Sequence, residues 1–180
     1  ITGLEVYAPC DQWETKAVIE HVSKTDMPCY VRLGRSKVED VFDENKVFDV
    51  TKINVIHEGT SKIAVFCTGL MVQSSLEALP KLQEIGFDPT IVDVCAIKPC
   101  DEEGIAKILE ENDQIFTVEE HSVTGGLGCL ICEVAADHCP RRIHRIGMRG
   151  FAQSADWQTL LREYKLDGQG VFQQISEKLK

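Results

Sequence analysis

The sequence predicts an α/β fold of three layers, in which a five-stranded, mixed but mostly parallel sheet lies between helices. Short apolar segments alternate with amphipathic ones from about residue 52 onward, which is typical of strands joined by helices. The segment 62–67 is almost continuously apolar, as expected of a central strand that is covered on both faces. The segment 127–135 repeats its apolar residues with the period of one helix face.

Residues 1–35 are predicted to be the tail of a truncated domain, because so short a segment cannot bury a core of its own. Strands are expected at 6–8 and 30–33. Between them, Asp11 and Glu14 form a capping-box pattern at the start of a helix. The chain also begins without Met, from which we expect a fragment of a longer protein.

Residues 36–49 are predicted to be a linker between this tail and a domain formed by residues 50–180. The linker is rich in acidic residues and contains two isolated aromatic residues, Phe42 and Phe48. We expect their side chains to anchor the linker to the surfaces that it crosses. A loop within a single domain is the alternative interpretation.

The elements of the 50–180 domain follow from its apolar pattern. Strands are predicted at 53–57, 62–67, 90–94, 114–118 and 143–146. The first two are close enough in sequence to pair as a hairpin, which would make the sheet mixed. Helices are predicted at 71–85, with a kink or early turn at Pro80, and at 102–111, where Asp101 is the cap. Three further helices are predicted: one from residue 127 onward, one that follows a cap at Ser154 and has Trp157 facing inward, and one at the C-terminal end. The segment 97–101, between the strand at 90–94 and the helix at 102–111, is predicted to be a loop.

Composition limits the classes of function. The chain has 19 Lys and Arg against 29 Asp and Glu, a formal net charge of −10. This charge argues against non-specific nucleic-acid binding and against docking on anionic membranes. No signal peptide is visible and no apolar run approaches the ~20 residues of a membrane span. The composition is typical of a cytoplasmic protein.

Polar residues follow the strand predicted at 114–118. Glu119, Glu120 and His121 come directly after it, and a glycine-rich turn with Gly125 and Gly126 precedes the next helix. Ligands of open α/β sheets gather at the carboxyl ends of the strands and at helix N-termini. The structural alternative is a pair of solvated acids, a hydrogen-bonded His, and glycines that only ease the backbone turn.

The sequence contains eight cysteines, of which Cys129 and Cys132 are spaced as C-x-x-C. With His138 and Cys139 downstream, this spacing is compatible with zinc or with redox chemistry. The segment is predicted to be helical and offers no knuckle turn, which favours reduced cysteines on a packed helix. The sequence contains none of three motifs that mark a complete active site within one chain: the G-x-S-x-G nucleophile elbow, the Walker loop and H-E-x-x-H.

Taken together, the ordered motifs resemble the C-terminal region of a transketolase over essentially the whole chain. They are Tyr7-Ala8-Pro9-Cys10-Asp11 with Glu14, Tyr30-Val31-Arg32-Leu33-Gly34-Arg35, Thr68-Gly69, Asp93 with Ile97-Lys98-Pro99-Cys100-Asp101, Thr117-Val118-Glu119-Glu120-His121, and Gly125-Gly126-Leu127-Gly128. Residues 1–35 resemble the end of the family's pyrimidine-binding domain, and residues from about 50 resemble its C-terminal domain.

The resemblance implies two-carbon ketol transfer between sugar phosphates, with thiamine diphosphate and Mg²⁺ as cofactors of the full enzyme. The family's cofactor-binding residues lie outside the region that this chain resembles, so no bound cofactor, catalytic residue or metal ligand is expected here. The chain is expected to be inactive alone and to act as a homodimer or as a heteromer with the missing N-terminal portion.

The resemblance also implies roles for named residues. Arg35 matches the family's arginine that grips the substrate phosphate, and Arg32 either assists it or holds the end of the strand. Glu119, Glu120 and His121, together with Gly125 and Gly126, are expected to shape a domain interface near the substrate channel.

Three alternatives remain open. Deoxyxylulose-phosphate synthase is similar in the Glu-Glu and Gly-Gly region, but its strand usually ends Arg-Tyr-Pro-Arg-Gly where this chain has Arg32-Leu33-Gly34-Arg35. The β-subunits of the 2-oxo acid dehydrogenases are similar in the sheet and less so at His121. A non-catalytic assembly or ligand-binding module is the third.

Overall fold

A computed structural model describes residues 1–35 and 37–179. Ser36, the first residue of the predicted linker, and Lys180, the last of the predicted domain, lie outside the described residues. The strands are β1 (Glu5–Tyr7), β2 (Cys29–Val31), β3 (Asn54–His57), β4 (Ile63–Cys67), β5 (Thr90–Asp93), β6 (Ala96–Lys98), β7 (Gln114–Ser122) and β8 (Ile143–Met148). The helices are α1 (Gln12–Val22), α2 (Met71–Glu84), α3 (Glu102–Glu111), α4 (Leu127–His138), α5 (Trp157–Glu163) and α6 (Gly168–Leu179).

The main sheet has five strands in the order β3-β5-β4-β7-β8. Strands β5, β4, β7 and β8 are parallel, and β3 is antiparallel to β5, so the predicted mixed sheet is confirmed. The predicted hairpin between 53–57 and 62–67 is wrong, because β3 pairs with β5 at the edge. All five residues of β4 are buried, and both of its sides are occupied by parallel neighbours.

A second, smaller sheet has three strands and connects β1 and β2, near the start of the chain, to β6. Its order is β2-β1-β6, with β1 parallel to β2 and antiparallel to β6. The segment predicted to be a loop at 97–101 therefore begins within a strand, β6. The apolar side chains of Tyr7, Val18 and Ala96 pack together beneath this sheet. The division of the chain into a tail, a linker and a domain stays a prediction.

Asp11 connects helix α1 to the acidic segment that follows β2. One of its carboxylate oxygens accepts the backbone N–H of Glu14 at 2.8 Å, which is the predicted helix cap. The other accepts the backbone N–H groups of Val41 and Phe42 at 2.9 and 2.7 Å. Phe42 also packs against the core beside α2, and Phe48 packs beneath the small sheet. The acidic segment is therefore anchored by these two rings and by Asp11.

Three helix predictions need correction. Helix α2 continues past Pro80 to Glu84, so an early turn there is wrong. The cap of α5 is Asp156, whose carboxylate accepts the N–H of Thr159 at 3.0 Å, and not Ser154. Trp157 does not face the core, because 40% of its surface is exposed. Within the described part of the chain, none of the helices has the length and apolar character that crossing a bilayer requires.

Candidate functional site

The polar residues predicted to follow β7 are part of the strand itself. Strand β7 extends to Ser122, and its pairing with β8 shifts register between Val118 and Ser122. Glu119, Glu120 and His121 occupy this irregular stretch. Such β-bulges re-aim side chains beside functional sites. The three consecutive polar side chains lie in different environments: Glu119 is buried, Glu120 is partly exposed and His121 is exposed.

Glu119 points into the protein and holds the start of α4. It is fully buried, and its two carboxylate oxygens accept the backbone N–H groups of Leu127 at 2.8 Å and Gly128 at 2.9 Å. These amides are among those that a helix N-terminus leaves without an intrahelical partner. Burial raises the pKa of Glu119 above its ordinary value, although both amides oppose the shift. Glu119 is therefore a structural anchor.

The glycine at position 126 is explained by the carboxylate of Glu119. A Cβ added to Gly126 would overlap that carboxylate and would lie 2.7 Å from Nδ1 of His121. Gly125 has a φ of +79°, a backbone conformation that other residues adopt only with strain. The Gly125-Gly126 turn is thus required for the close approach of β7 to α4.

His121 is the exposed member of the group. Its Nδ1 lies 2.9 Å from the backbone carbonyl of Ser122 and 3.8 Å from a carboxylate oxygen of Glu119. About half of its side chain remains accessible to solvent. Of the three polar residues of β7, it is therefore one that an external ligand could reach.

Arg32 ties the end of β2 to β7. Its guanidinium donates a hydrogen bond of 2.8 Å to the backbone carbonyl of Glu120, and the same nitrogen lies 3.8 Å from the Glu120 carboxylate. Both side chains are partly exposed, so this ion pair alone adds little stability, on the order of 0–1 kcal/mol. The contact nevertheless connects two segments that are 88 residues apart in sequence.

These contacts border an open cleft of about 440 Å³, which we name the Arg35 cleft. It is lined by residues that include Asp11, Arg32, Arg35, Glu120 and Trp157. Arg35 is exposed at the cleft, so its planar guanidinium is available for paired, charge-assisted hydrogen bonds. The cleft brings together three of the residues predicted from sequence, Arg32, Arg35 and Glu120. Glu119, His121 and the two glycines lie outside its lining.

A second cluster, which the sequence prediction missed, contains Cys10, Glu14 and Asp93. One ligand-type atom from each lies within 4.8 Å of the others, and all three residues are buried. The cluster does not suit a Mg²⁺-diphosphate group, because Mg²⁺ prefers oxygen ligands and retains several waters. A buried thiol and a Glu14 carboxylate that already accepts from Cys10 N–H at 2.8 Å do not meet that need.

Glu14 and Asp93 behave as a buried acid pair. Neither carboxylate oxygen of Asp93 accepts a hydrogen bond from a donor group among the described residues, and Asp93 is fully buried. Burial, with the repulsion of Glu14, raises the pKa of Asp93 well above its ordinary value. Burial also raises the pKa of Glu14. A proton retained on one carboxyl of this pair would avoid placing two like charges side by side in a buried position.

Asp93→Asn is expected to remove a pH-dependent loss of stability. Because the folded-state pKa of Asp93 is raised, the folded chain keeps a proton that the unfolded chain releases. Stability is fully present below the ordinary carboxyl pKa and is lost as the pH rises toward the raised one. The amide of Asn can donate to Glu14 without ionising.

Urea denaturation between about pH 5 and about pH 9 measures this effect, since the slope of unfolding free energy against pH counts the protons involved. The wild-type chain should lose stability with rising pH, and the Asn variant should lose less. Asp26→Asn, at an exposed bend, serves as the control and should keep the wild-type slope. Identical slopes in the wild-type and Asp93→Asn chains would count against a raised folded-state pKa of Asp93.

The zinc interpretation of the C-x-x-C segment gains no support. Within residues 1–35 and 37–179, the metal-capable group contains none of Cys129, Cys132, His138 and Cys139. All eight cysteines are free thiols.

The sequence prediction also missed Trp157 as part of the Arg35 cleft, since its helical spacing suggested a core position. Asp93, an acidic residue within the otherwise apolar strand predicted at 90–94, was the sequence signal for the buried pair of Glu14 and Asp93.

The chain matches a protein family described as "Transketolase, C-terminal domain" over residues 51–171. It is 35% identical over 184 aligned residues to a Methanocaldococcus jannaschii protein named "Putative transketolase C-terminal section", with 100% of this chain and 57% of that protein covered. It is 29% identical over 172 residues to one subunit of an apulose-4-phosphate transketolase from Actinobacillus succinogenes, with 94% of this chain and 55% of that protein covered. The chain thus spans about half the length of these curated relatives.

Among solved structures, the chain is similar to one described as "Split gene transketolase, inactive beta4 tetramer". The TM-score is 0.87 at 30% sequence identity, and the match covers 97% of this chain and 56% of the other. The likeness extends across both sheets, because nearly the whole chain is included.

Proposed function

Because this chain belongs to the transketolase C-terminal-domain family, we propose that it is the C-terminal portion of a thiamine-diphosphate-dependent transketolase. The full enzyme would move a two-carbon ketol unit from a ketose phosphate to an aldose phosphate. The observation that carries this proposal is the Arg35 cleft, where an exposed arginine lies beside a fixed one. A cleft of this kind suits a phosphorylated substrate of small size.

Within this proposal, Arg35 binds the substrate phosphate and Arg32 is a positioning residue. Arg32 is held by the backbone carbonyl of Glu120, which fixes the end of β2 close to β7. Its positive charge is partly offset by the Glu120 carboxylate 3.8 Å away, so Arg35 carries most of the attraction of the cleft for phosphate. Arg35 lines the cleft and is exposed, so its guanidinium can offer two parallel hydrogen bonds to phosphate oxygens.

Glu119, His121 and the Gly125-Gly126 turn are proposed to form a wall of the substrate channel. Glu119 supports the wall from inside through its two bonds to the start of α4. His121 is exposed beside it and is accessible to a substrate in the channel. No proton transfer is assigned to His121, because a general base needs reach to the substrate.

The cofactors are proposed to be bound by an upstream portion of the enzyme. The metal-capable cluster of the described residues does not suit Mg²⁺ with a diphosphate, and the chain spans about half of its relatives. One of these relatives is named as a subunit of a transketolase, and the similar solved structure is described as a split gene product. We therefore expect a heteromer with the upstream portion, with homodimer formation as the alternative, in the cytoplasm.

The substrate pair distinguishes this function from its close alternative. The chain would be supplied with the upstream portion, thiamine diphosphate and Mg²⁺, and tested with xylulose phosphate and ribose phosphate. Turnover of this pair supports the transketolase. Turnover of pyruvate with glyceraldehyde phosphate instead would assign the chain to deoxyxylulose-phosphate synthase. Inactivity with both pairs, in a sample shown to assemble, would favour a non-catalytic module.

A further inference from the structure

The first two turns of α4 carry two cysteines in a distinctive environment. The Sγ atom of Cys129 accepts a hydrogen bond from the backbone N–H of Gly125 at 3.1 Å. The guanidinium Nη1 of Arg145 lies 3.5 Å from the same sulfur. Cys129 is partly exposed, and so is Cys132, which follows one helical turn later. The sulfur of Cys129 thus meets a backbone amide, a cation and the positive end of a helix.

Thiols at helix N-termini and beside arginine ionise more readily than free cysteine, and the first cysteine of a C-x-x-C pair is the typical case. The Cys129 thiol itself donates only a long hydrogen bond, to the carbonyl of Val123 at 3.4 Å. A sulfur with two donors directed at it is poised to act as a nucleophile.

Other cysteines of the chain have the opposite environment. Cys10, Cys67 and Cys95 are buried, and burial together with the nearby carboxylates of Glu14 and Asp93 raises the pKa of each thiol. The Cys29 thiol donates to the backbone carbonyl of Met27 at 3.2 Å, and its sulfur lies 3.5 Å from a Glu5 carboxylate oxygen, so a negative charge faces it. Cys129 differs from these four cysteines because its sulfur faces a backbone N–H and a guanidinium and not a carboxylate.

Cys132 is close enough to Cys129 to attack a mixed disulfide formed there. Residues three apart on a helix are neighbours on its surface, and their separation falls close to the range that a disulfide requires. Burial raises the pKa of Cys132, while Arg145 opposes the shift. The raised pKa suits Cys132 to the second role, in which it attacks the sulfur of Cys129 after Cys129 has reacted.

We propose that Cys129 and Cys132 form a redox-active dithiol that a low-molecular-weight disulfide oxidises. The Cys129 thiolate attacks one sulfur of the small disulfide, the bond between its sulfurs breaks, and one small thiolate leaves and takes up a proton. Cys132 then loses its proton and attacks the Cys129 sulfur of the mixed disulfide, releasing the second small thiol. Two cysteine thiols are oxidised, and one disulfide is reduced to two thiols.

Oxidation acts on the same turn that Glu119 anchors. Leu127 and Gly128, which donate to Glu119, lie directly before Cys129 on α4. A Cys129–Cys132 bond would draw the sulfur toward the helix and away from the Gly125 amide. The Gly125-Gly126 turn would lose one of its fixed contacts. The dithiol itself is independent of ketol transfer, because each step involves only these thiols and the small disulfide.

The test measures thiol reactivity and disulfide formation in the intact chain. Limited alkylation with iodoacetamide, followed by peptide mass spectrometry, should label Cys129 before Cys29 and Cys139 in the same sample. Oxidised glutathione should then produce a Cys129–Cys132 disulfide with loss of two hydrogen atoms. In Cys132→Ser, the reaction should stop at a glutathione adduct on Cys129.

Arg145→Met tests the environment of the sulfur. Loss of the cation should slow alkylation of Cys129 by roughly threefold or more, since a smaller thiolate fraction lowers the rate more than the greater nucleophilicity of each thiolate raises it. Alkylation of Cys139 in the same variant serves as the control for a general change. Equal labelling of Cys129 and Cys139 in the wild-type chain, or a disulfide that omits Cys129, would overturn the proposal.

Discussion

Arg35→Ala is expected to lower kcat/KM of the assembled enzyme for phosphorylated substrates by roughly 30- to 160-fold. This factor corresponds to about 2–3 kcal/mol, the range for losing charge-assisted hydrogen bonds to one group. Arg35 is exposed in the Arg35 cleft, so its replacement should leave the fold intact. Steady-state kinetics with ribose phosphate as acceptor would measure the loss.

The specificity of this effect depends on the phosphate. An unphosphorylated acceptor such as ribose should react equally slowly with the wild-type and Arg35→Ala enzymes. Arg35→Lys should give an intermediate loss, because an ammonium keeps the charge without the paired geometry. Arg142→Ala removes an exposed arginine outside the cleft and should be neutral. Equal losses for phosphorylated and unphosphorylated acceptors would contradict a phosphate-binding role for Arg35.

Glu119→Ala is expected to lower the free energy of unfolding by about 3–5 kcal/mol. The replacement leaves the N–H groups of Leu127 and Gly128 without acceptors in a buried position, and it leaves a cavity where the side chain was. Each unsatisfied buried donor costs roughly 1–3 kcal/mol. Urea denaturation followed by far-ultraviolet circular dichroism would measure the difference.

The neighbouring carboxylate provides a matched control. Glu120→Ala removes a partly exposed side chain whose ion pair with Arg32 is 3.8 Å long, so its cost should stay below about 1 kcal/mol. Glu119→Gln should fall between the two, because one amide oxygen can still accept one N–H. Equal destabilisation by the Glu119 and Glu120 replacements would show that Glu119 does not anchor α4.

Much of the fold could be predicted from sequence because it depends on local patterns. The apolar run 62–67 and the helix period after residue 127 reflect burial on two faces and on one face, and both elements are present. The helix caps at Asp11 and Asp101 were also predicted correctly, since each carboxylate accepts a hydrogen bond from the backbone N–H three residues later. The partner of β3 was not predictable in this way, because closeness in sequence favours a hairpin while the sheet order is set by long-range packing.

The candidate site was predictable in its residue types and less so in its geometry. Glu119 and Glu120 are adjacent in sequence, yet one is buried and the other pairs with Arg32. Adjacent strand residues point to opposite faces, but which of the two is buried depends on how β7 packs against α4. The approach of Asp93 to Glu14 likewise depends on how the small sheet packs against the large one. The roles of Arg35 and Arg32 toward a substrate stay predictions.

The central claim is that this chain completes a transketolase whose cofactors are held elsewhere. The most direct measurement is a titration of the upstream portion with this chain, in the presence of thiamine diphosphate and Mg²⁺, with ketol transfer from xylulose phosphate to ribose phosphate followed as the rate. We predict no turnover by either component alone and a rate that rises until the two are equimolar. Turnover by this chain alone, or a rate of the upstream portion that its addition leaves unchanged, would contradict the claim.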